Sequence, residues 1–379
     1  MLCGVGLSRT IEGHYKDVIE EMNQIHAEKV AIDIPSGISS FDGQVLGTAF
    51  HADLTVSFAC EKLGTVLFPG SDYAGEVIPV EIGIGTKLFE ENPEVCYTLE
   101  KSDLFKFLPD RKKNSHKGSY GKILMITGSK GMSGATYLSA RAAYISGGGL
   151  VQIYTEESNR TILQQLLPEA IVSTYTEYEE EKLQSLLKWA DVICIGCGLG
   201  KSRTAGQILS YLMKYAEVPC VIDADGLNLL ADHMELLPKE KKPFVLTPHM
   251  KEMAGLLGCT IPELGKNRFA ALKEFTDSYG VVCALKDART LVAGKDRQMF
   301  LNTAGNSAMA KAGSGDVLAG VITGLLAQHM KVYEGTVLGV YLHACGGDAA
   351  RERRGAYSVL AEDLTEGIAA CIKKTEKGR

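Results

Sequence analysis

Lys122-Ile123-Leu124-Met125-Ile126-Thr127 runs straight into Gly128-Ser129-Lys130-Gly131-Met132-Ser133-Gly134, and a helical pattern follows from Ala135 to Ser146. A nearly unbroken apolar run of this length reads as a strand buried on both faces. A glycine turn feeding a helix is how an α/β sheet passes its chain into a crossover. The same kind of run recurs on both sides of it. Lys29 to Ile34, Leu54 to Phe58 and Glu76 to Ile82 read as strands early in the chain. Val151 to Tyr154, Val192 to Ile195, Cys220 to Ile222, Phe244 to Leu246 and Val281 to Leu285 read as strands later. Helical patterns such as Glu181 to Trp189 lie between them. The alternation predicts right-handed βαβ crossovers and a largely parallel sheet.

The chain has 379 residues, enough for two domains. The polar stretch between Gly85 and Lys122, with Glu90-Glu91-Asn92-Pro93 and Pro109 to His116, marks the junction, giving a first domain over 1–97 and a second over 98–379. Forty basic against 46 acidic residues leave a formal charge of −6, which argues against a nucleic-acid partner, since phosphate affinity needs clustered Lys and Arg. No apolar window is long enough for a membrane helix, and Met1 to Thr10 carries no basic segment followed by an apolar core, so a cytoplasmic protein without a membrane partner is expected. Ten scattered cysteines, several inside apolar runs, read as reduced thiols acting as small hydrophobes.

The 41 glycines are clustered at the ends of apolar runs. The richest cluster closes the segment Asn302-Thr303-Ala304-Gly305-Asn306, Ser307-Ala308-Met309-Ala310-Lys311-Ala312, Gly313-Ser314-Gly315-Asp316. Val317, Leu318, Val321, Ile322, Leu325 and Leu326 follow at helical spacing, so a buried helix starts at or near Asp316. Small residues before a helix start let backbone N–H groups converge on an anion, with the positive end of the helix behind them. A capping Asp alone would need no Gly-Ser-Gly before it. An anion hole beside a carboxylate holds a transferring phosphoryl group while the carboxylate takes a proton from the attacking hydroxyl.

Other segments end strands at the same edge of the predicted sheet, where open α/β proteins bind ligands. Lys286-Asp287-Ala288-Arg289-Thr290 follows Val281 to Leu285, and Gly196-Cys197-Gly198-Leu199-Gly200 follows Val192 to Ile195. Asp223 to Asn228 and Thr247-Pro248-His249 with Glu252 end two more. The Gly128 turn is no P-loop, because no Gly-Lys-Ser/Thr closes it. Cys194 and Cys197 have CxxC spacing without a second pair, which sets aside zinc or redox chemistry. The acidic run Glu177 to Glu181 reads as a solvated helix start.

Taken in order and spacing, His116-Lys117-Gly118 with Gly121, the Gly128 turn, Gly196 to Gly200, Asp223 to Asn228, Thr247-Pro248-His249, Lys286 to Thr290 and Asn302 to Leu318 resemble the ADP-dependent NAD(P)H-hydrate dehydratase family. The resemblance implies a ribokinase-like α/β sandwich that uses a nucleotide to drive water from hydrated NADH or NADPH. It implies hydrate contacts at Ala135, Gly198, Gly200, His249 and Asp316, with Asp316 as the catalytic base. Lys286, Asp287, Ala288, Arg289 and Thr290, with Gly313, Ser314 and Gly315, would hold ADP or ATP with Mg2+. One departure is Asp287, where such segments often carry Gly. Family relatives also suggest a homo-oligomer.

Residues 1 to about 90 resemble the second half of NAD(P)H-hydrate epimerase, a partial Rossmann-like α/β domain. Cys3-Gly4-Val5-Gly6-Leu7-Ser8-Arg9 matches a substrate loop, implying roles for Gly4, Gly6, Leu7 and Arg9. Asp33-Ile34-Pro35-Ser36-Gly37 matches a strand-end motif in which Asp33 touches substrate and Ser36 a potassium ion. The family's early phosphate loop and opening strands are absent. The expectation is therefore a truncated domain without epimerase activity, with K+ needed only if that domain were complete. Two other readings share parts of the pattern: a ribokinase-like small-molecule kinase with the same base, and a nucleotide-binding regulator that has lost catalysis.

Overall fold

The computed structural model describes residues 2–85, 87–90, 92, 95–237 and 242–378. The chain divides into two compact units, Met1–Val95 and Cys96–Arg379.

In the first unit, β1 (Val30–Ile32), β2 (Leu54–Phe58) and β3 (Glu76–Val80) form a parallel sheet in the order β1-β2-β3. Helix α1 (His14–Gln24) turns Ile19 inward against Ile11, Ala31 and Phe50. A second small cluster joins Ile34, Ile38 and Ala49. Strand β1 has a free edge among the described residues and leaves Val30 and Ile32 exposed.

In the second unit the described strands form one nine-stranded sheet. They are β4 (Lys122–Ile126), β5 (Leu150–Glu156), β6 (Ile171–Tyr175), β7 (Val192–Ile195), β8 (Cys220–Ile222), β9 (Phe244–Leu246), β10 (Val282–Leu285), β11 (Leu291–Gly294) and β12 (Phe300–Leu301). Their order is β12-β11-β10-β9-β8-β7-β4-β5-β6, and every pairing from β10 to β6 is parallel. Among its helices are α2 (Ser133–Ile145), α3 (Glu180–Trp189), α4 (Met250–Leu257), α5 (Ile261–Tyr279), α6 (Ser314–Ala327) and α7 (Val332–Arg354), of which all but α3 supply residues to the site. Strands β7, β8 and β9 are buried at every position, as unbroken apolar runs require. Strand β6 and the antiparallel pair β11–β12 add to the strands legible in sequence. The acidic run stays solvent-exposed at Glu177 and from Glu179 to Glu181, where α3 begins. Among the described residues no helix is long and apolar enough to cross a membrane.

Two features place the site. The chain leaves β4 toward β5 and β6, then returns to the other side of β4 as β7, so the strand order reverses between β4 and β7. That reversal opens a crevice at the carboxyl ends of the strands. Helix α6 enters above it and is buried from Val317 to Ala327. Its close approach to α2 depends on glycine: a Cβ at Gly320 would lie 2.1 Å from the Ser139 carbonyl oxygen, and one at Gly324 2.4 Å from that of Ala143. Any side chain there would push α6 outward and carry its first turn with it.

Candidate active site

The first turn of α6 builds the centre. Gly313 precedes it with φ of 92°, a left-handed conformation suited to glycine. The helix starts at Ser314, so Asp316 lies inside the first turn rather than at the cap. The Ser314 N–H is used on the Lys311 carbonyl at 3.3 Å, and the Val317 N–H closes on the Gly313 carbonyl at 3.1 Å. A Cβ at Gly315 would stand 3.4 Å from Lys286 Nζ and 3.6 Å from Asp223 Oδ2, so the glycine backbone faces a charged cluster directly.

Strand ends supply that cluster. Asp223, following β8, is buried, and its Oδ1 accepts from Lys286 Nζ at 2.6 Å. Glu252 of α4 lies 4.0 Å from the same ammonium. Burial alone would lower the Lys286 pKa, but Asp223 and Glu252 outweigh it and hold the lysine charged. Burial raises Glu252 above the usual carboxylate range, with Lys286 opposing. Asp316 is pushed up to about 6, first by burial and then by Asp223, while the Cys197 thiol and Lys286 pull the other way. The carboxylate is therefore ionised at neutral pH yet close to its protonation point, as a general base requires.

The second wall comes from β4 and β7. Ser129 gives its N–H and its hydroxyl to the Gly198 carbonyl, at 2.6 and 2.9 Å. A Cβ on Gly198 would lie 3.0 Å from the Cβ atoms of both Ala135 and Met132. The Gly200 N–H is fixed by Asp225 Oδ2 at 2.8 Å. His249 caps α4: its Nδ1 accepts the Glu252 N–H at 3.1 Å, and its own backbone N–H goes to Glu252 Oε2 at 2.8 Å, leaving the side chain half exposed. On the other flank Arg289 Nη1 donates to the Thr303 carbonyl at 2.9 Å, and the Thr290 hydroxyl to the Asp287 carbonyl at 3.2 Å. Asp348 of α7 holds Gly305 N–H and the Asn306 amide at 3.1 and 2.7 Å, which pins the loop entering α6.

Asp316, Gly315, Lys286 and Asp223 are thus brought together, and Ala135, Gly198 and Gly200 line an adjoining wall. Sequence reasoning passed over His343 and Arg268, and it picked out the segments holding Cys197 and Asp225 without giving those two side chains a role. The Cys197 thiol, on the glycine turn that follows β7, draws the Asp316 carboxyl down. Asp225 fixes Gly200. His343, in the middle of apolar α7, sits 3.4 Å from the Ser314 hydroxyl and is held down to about 4 by burial, hence neutral. Arg268 pairs with Asp287. Of these, the Asp223 to Asn228 and Gly196 to Gly200 strand ends carried a visible signal, whereas His343 and Arg268 carried none.

The first-unit residues lie in the other compact body. Asp33 sits at φ of 68°, takes the Phe58 N–H at 2.9 Å and ion-pairs with Lys62. Ser36 Oγ accepts the Leu2 and Cys3 N–H groups, each at 3.1 Å, and donates to the Cys3 carbonyl at 3.1 Å. Leu7 N–H closes a turn on the Gly4 carbonyl at 3.1 Å, while Gly6 and Arg9 are exposed.

Residues 123–370 match the family model described as NAD(P)H-hydrate dehydratase, and residues 1–64 match the YjeF-related protein N-terminus. The chain belongs to the NAD(P)H-hydrate dehydratase family. A bifunctional NAD(P)H-hydrate repair enzyme of Moorella thermoacetica is 36% identical over 382 residues, covering 99% of this chain and 72% of the relative. A ribokinase-like superfamily protein from Enterococcus faecalis V583 superposes with a TM-score of 0.67 at 31% identity, over 73% of this chain and 95% of its own. The ADP/ATP-dependent NAD(P)H-hydrate dehydratase of Bacillus subtilis, co-crystallised with ATP and Mg2+, gives 0.62 at 29% identity, over 73% of this chain and 97% of its own. The second unit is therefore a ribokinase-like α/β sandwich.

Proposed function

We propose that this chain restores NADH or NADPH from the hydrated cofactor, removing water from the 6S epimer at the expense of ADP or ATP. The observation that carries the reading is Asp316, desolvated in the first turn of α6 beside Gly315 and the Lys286–Asp223 pair. Hydroxide is a poor leaving group and phosphate a good one. Asp316 takes the proton of the ring hydroxyl as its oxygen bonds to the terminal phosphorus, and the nucleotide leaves with the broken P–O pair. The ring C–O bond then breaks with phosphate departing, and loss of a ring proton restores the double bond. Gly313, Ser314 and Gly315, with Lys286, stabilise the phosphoryl group in transit. Lys286 to Thr290 hold the nucleotide, and Ala135, Gly198, Gly200 and His249 hold the hydrate.

Among the described residues no group of three or more His, Cys, Asp or Glu is arranged to hold a metal ion, and Asp223 and Glu252 are committed to Lys286. Mg2+ would then be carried in by the nucleotide phosphates, its usual partners, rather than by a cage of protein ligands. When bound there, the ion would offset the phosphate charge.

The pH profile follows from Asp316. With its carboxyl near 6, turnover falls as pH drops through about 6, because the protonated acid accepts no proton. A kcat/KM profile flat from pH 7 down to pH 5 would reject Asp316 as base.

For the first unit we propose no epimerase activity. Two donated N–H groups use both lone pairs of the Ser36 hydroxyl, so it has none left for a potassium ion, and Lys62 already occupies Asp33. Assayed with separated epimers, the chain is expected to return the dihydronicotinamide absorbance from the 6S hydrate only. Recovery from the 6R hydrate faster than spontaneous interconversion would overturn this. A phosphorylated hydrate accumulating as end product would instead favour the small-molecule kinase. The same proposal takes the protein as a cytoplasmic homo-oligomer, which its mass in solution and its cellular location test.

A further inference from the structure

The nucleotide segment contains an ion pair that the chemistry above leaves unused. Arg268 follows Asn267, where α5 departs from helical geometry at φ −136° and ψ 26°. The Arg268 side chain is only 10% exposed, and its Nη1 donates to Asp287 Oδ2 at 3.0 Å. Its buried Nε has no hydrogen-bond partner. Desolvating a guanidinium is costly, and pairing it with one carboxylate seldom recovers the whole cost. A kinked helix and a buried, incompletely satisfied cation are poor devices for stability. What they do accomplish is to fix Asp287.

Asp287 is the position where related segments often carry glycine. Its side chain is 39% exposed, with Oδ2 on Arg268 and Oδ1 taking the Ala288 N–H at 2.8 Å. Both oxygens are immobilised, and each keeps further acceptor capacity. Arg268 cancels the charge, so the pair does not repel nucleotide phosphates and has little pull on a divalent cation. It offers fixed acceptors, and the groups that complement fixed acceptors are hydroxyls. Its neighbour Lys286 faces Gly315, where the reading above puts the transferring phosphoryl. One residue further from that end, the part of the donor carrying hydroxyls is its sugar.

We infer that Asp287, oriented by Arg268, accepts hydrogen bonds from the ribose hydroxyls of the nucleotide donor and selects ribonucleotides over deoxy forms. The inference rests on the nucleotide-dependent reading above. The test compares ADP, 2′-deoxy-ADP and 3′-deoxy-ADP with saturating 6S hydrate. In the unaltered protein at least one deoxy analogue is expected to show a KM higher by about tenfold, with kcat little changed, in line with one hydrogen bond to a charged acceptor. In Asp287→Asn, and in the double variant Asp287→Gly with Arg268→Leu, which strands no buried cation, that ratio is expected to shrink to within about twofold as the KM for ADP rises. Thermal melting of both variants separates this from misfolding. Equal KM values for all three nucleotides in the unaltered protein would overturn the inference while leaving ADP-driven turnover intact. An undiminished ratio in both folded variants would overturn it as well. Failure of every nucleotide to support turnover would remove both readings.

Discussion

Asp316→Asn is expected to lower turnover by roughly 10³-fold, the range of a lost general base, while raising the melting temperature. Asparagine keeps the shape and removes the charge. The stability gain follows from the direction of the shift. Folding raises the Asp316 carboxyl to about 6, through burial first and the Asp223 charge second, so the folded state resists ionising it. Below the ordinary carboxylate value the acid is protonated in both states and carries no penalty. As pH rises from about 4 to about 6 the penalty develops, because the unfolded chain ionises before the folded one, and above 6 the ionised side chain destabilises the fold by at most about 3 kcal/mol. Asparagine should therefore melt higher at pH 7 and indistinguishably at pH 3.5. A variant equally active, or inactive but less stable at pH 7, would reject this account.

The structure explains which parts of this were legible beforehand. Strands β7, β8 and β9 match their sequence boundaries because they are buried on both faces, so the apolar run and the strand coincide. Strand β6 was invisible because it lies at an edge, and Ile171-Val172-Ser173-Thr174-Tyr175 is only partly buried. Strand β12 has only two residues, and β11, Leu291 to Gly294, follows β10 antiparallel after a short turn, outside the strand-helix alternation that marked the others. The Gly-Ser-Gly-Asp turn was legible because small residues running into an apolar helical pattern are a local feature of the sequence. Its supports were not. Cys197 acts on Asp316 from another strand end and His343 meets Ser314 from mid-helix, while Arg268 meets Asp287 beside a kink at Asn267; each depends on tertiary placement that no local pattern encodes. Lys286 was read as a lysine free to reach a nucleotide, whereas folding gives it two buried carboxylates.

That placement makes Lys286 the position with the largest structural consequence. In Lys286→Met the side chain still fills its space, but Asp223, fully desolvated, and Glu252 lose their shared counter-charge. Removing one partner of a buried pair leaves an uncompensated charge and costs about 3–5 kcal/mol. For a unit of this size that lowers the melting temperature by roughly 10 °C at pH 7. The loss should narrow in acid, because protonated carboxyls no longer need the ammonium, and Glu252 already titrates high. Adding Asp223→Asn should recover most of the stability without recovering activity, since the charge to be balanced is gone but so is the cation of the anion hole. The Lys286 charge also holds the Asp316 carboxyl down. Whatever turnover survives in Lys286→Met should therefore have its acid limb displaced to higher pH. A double variant as unstable as Lys286→Met, or an acid limb still at about 6, would mean that the lysine acts on the nucleotide alone and not through the carboxylates beneath it.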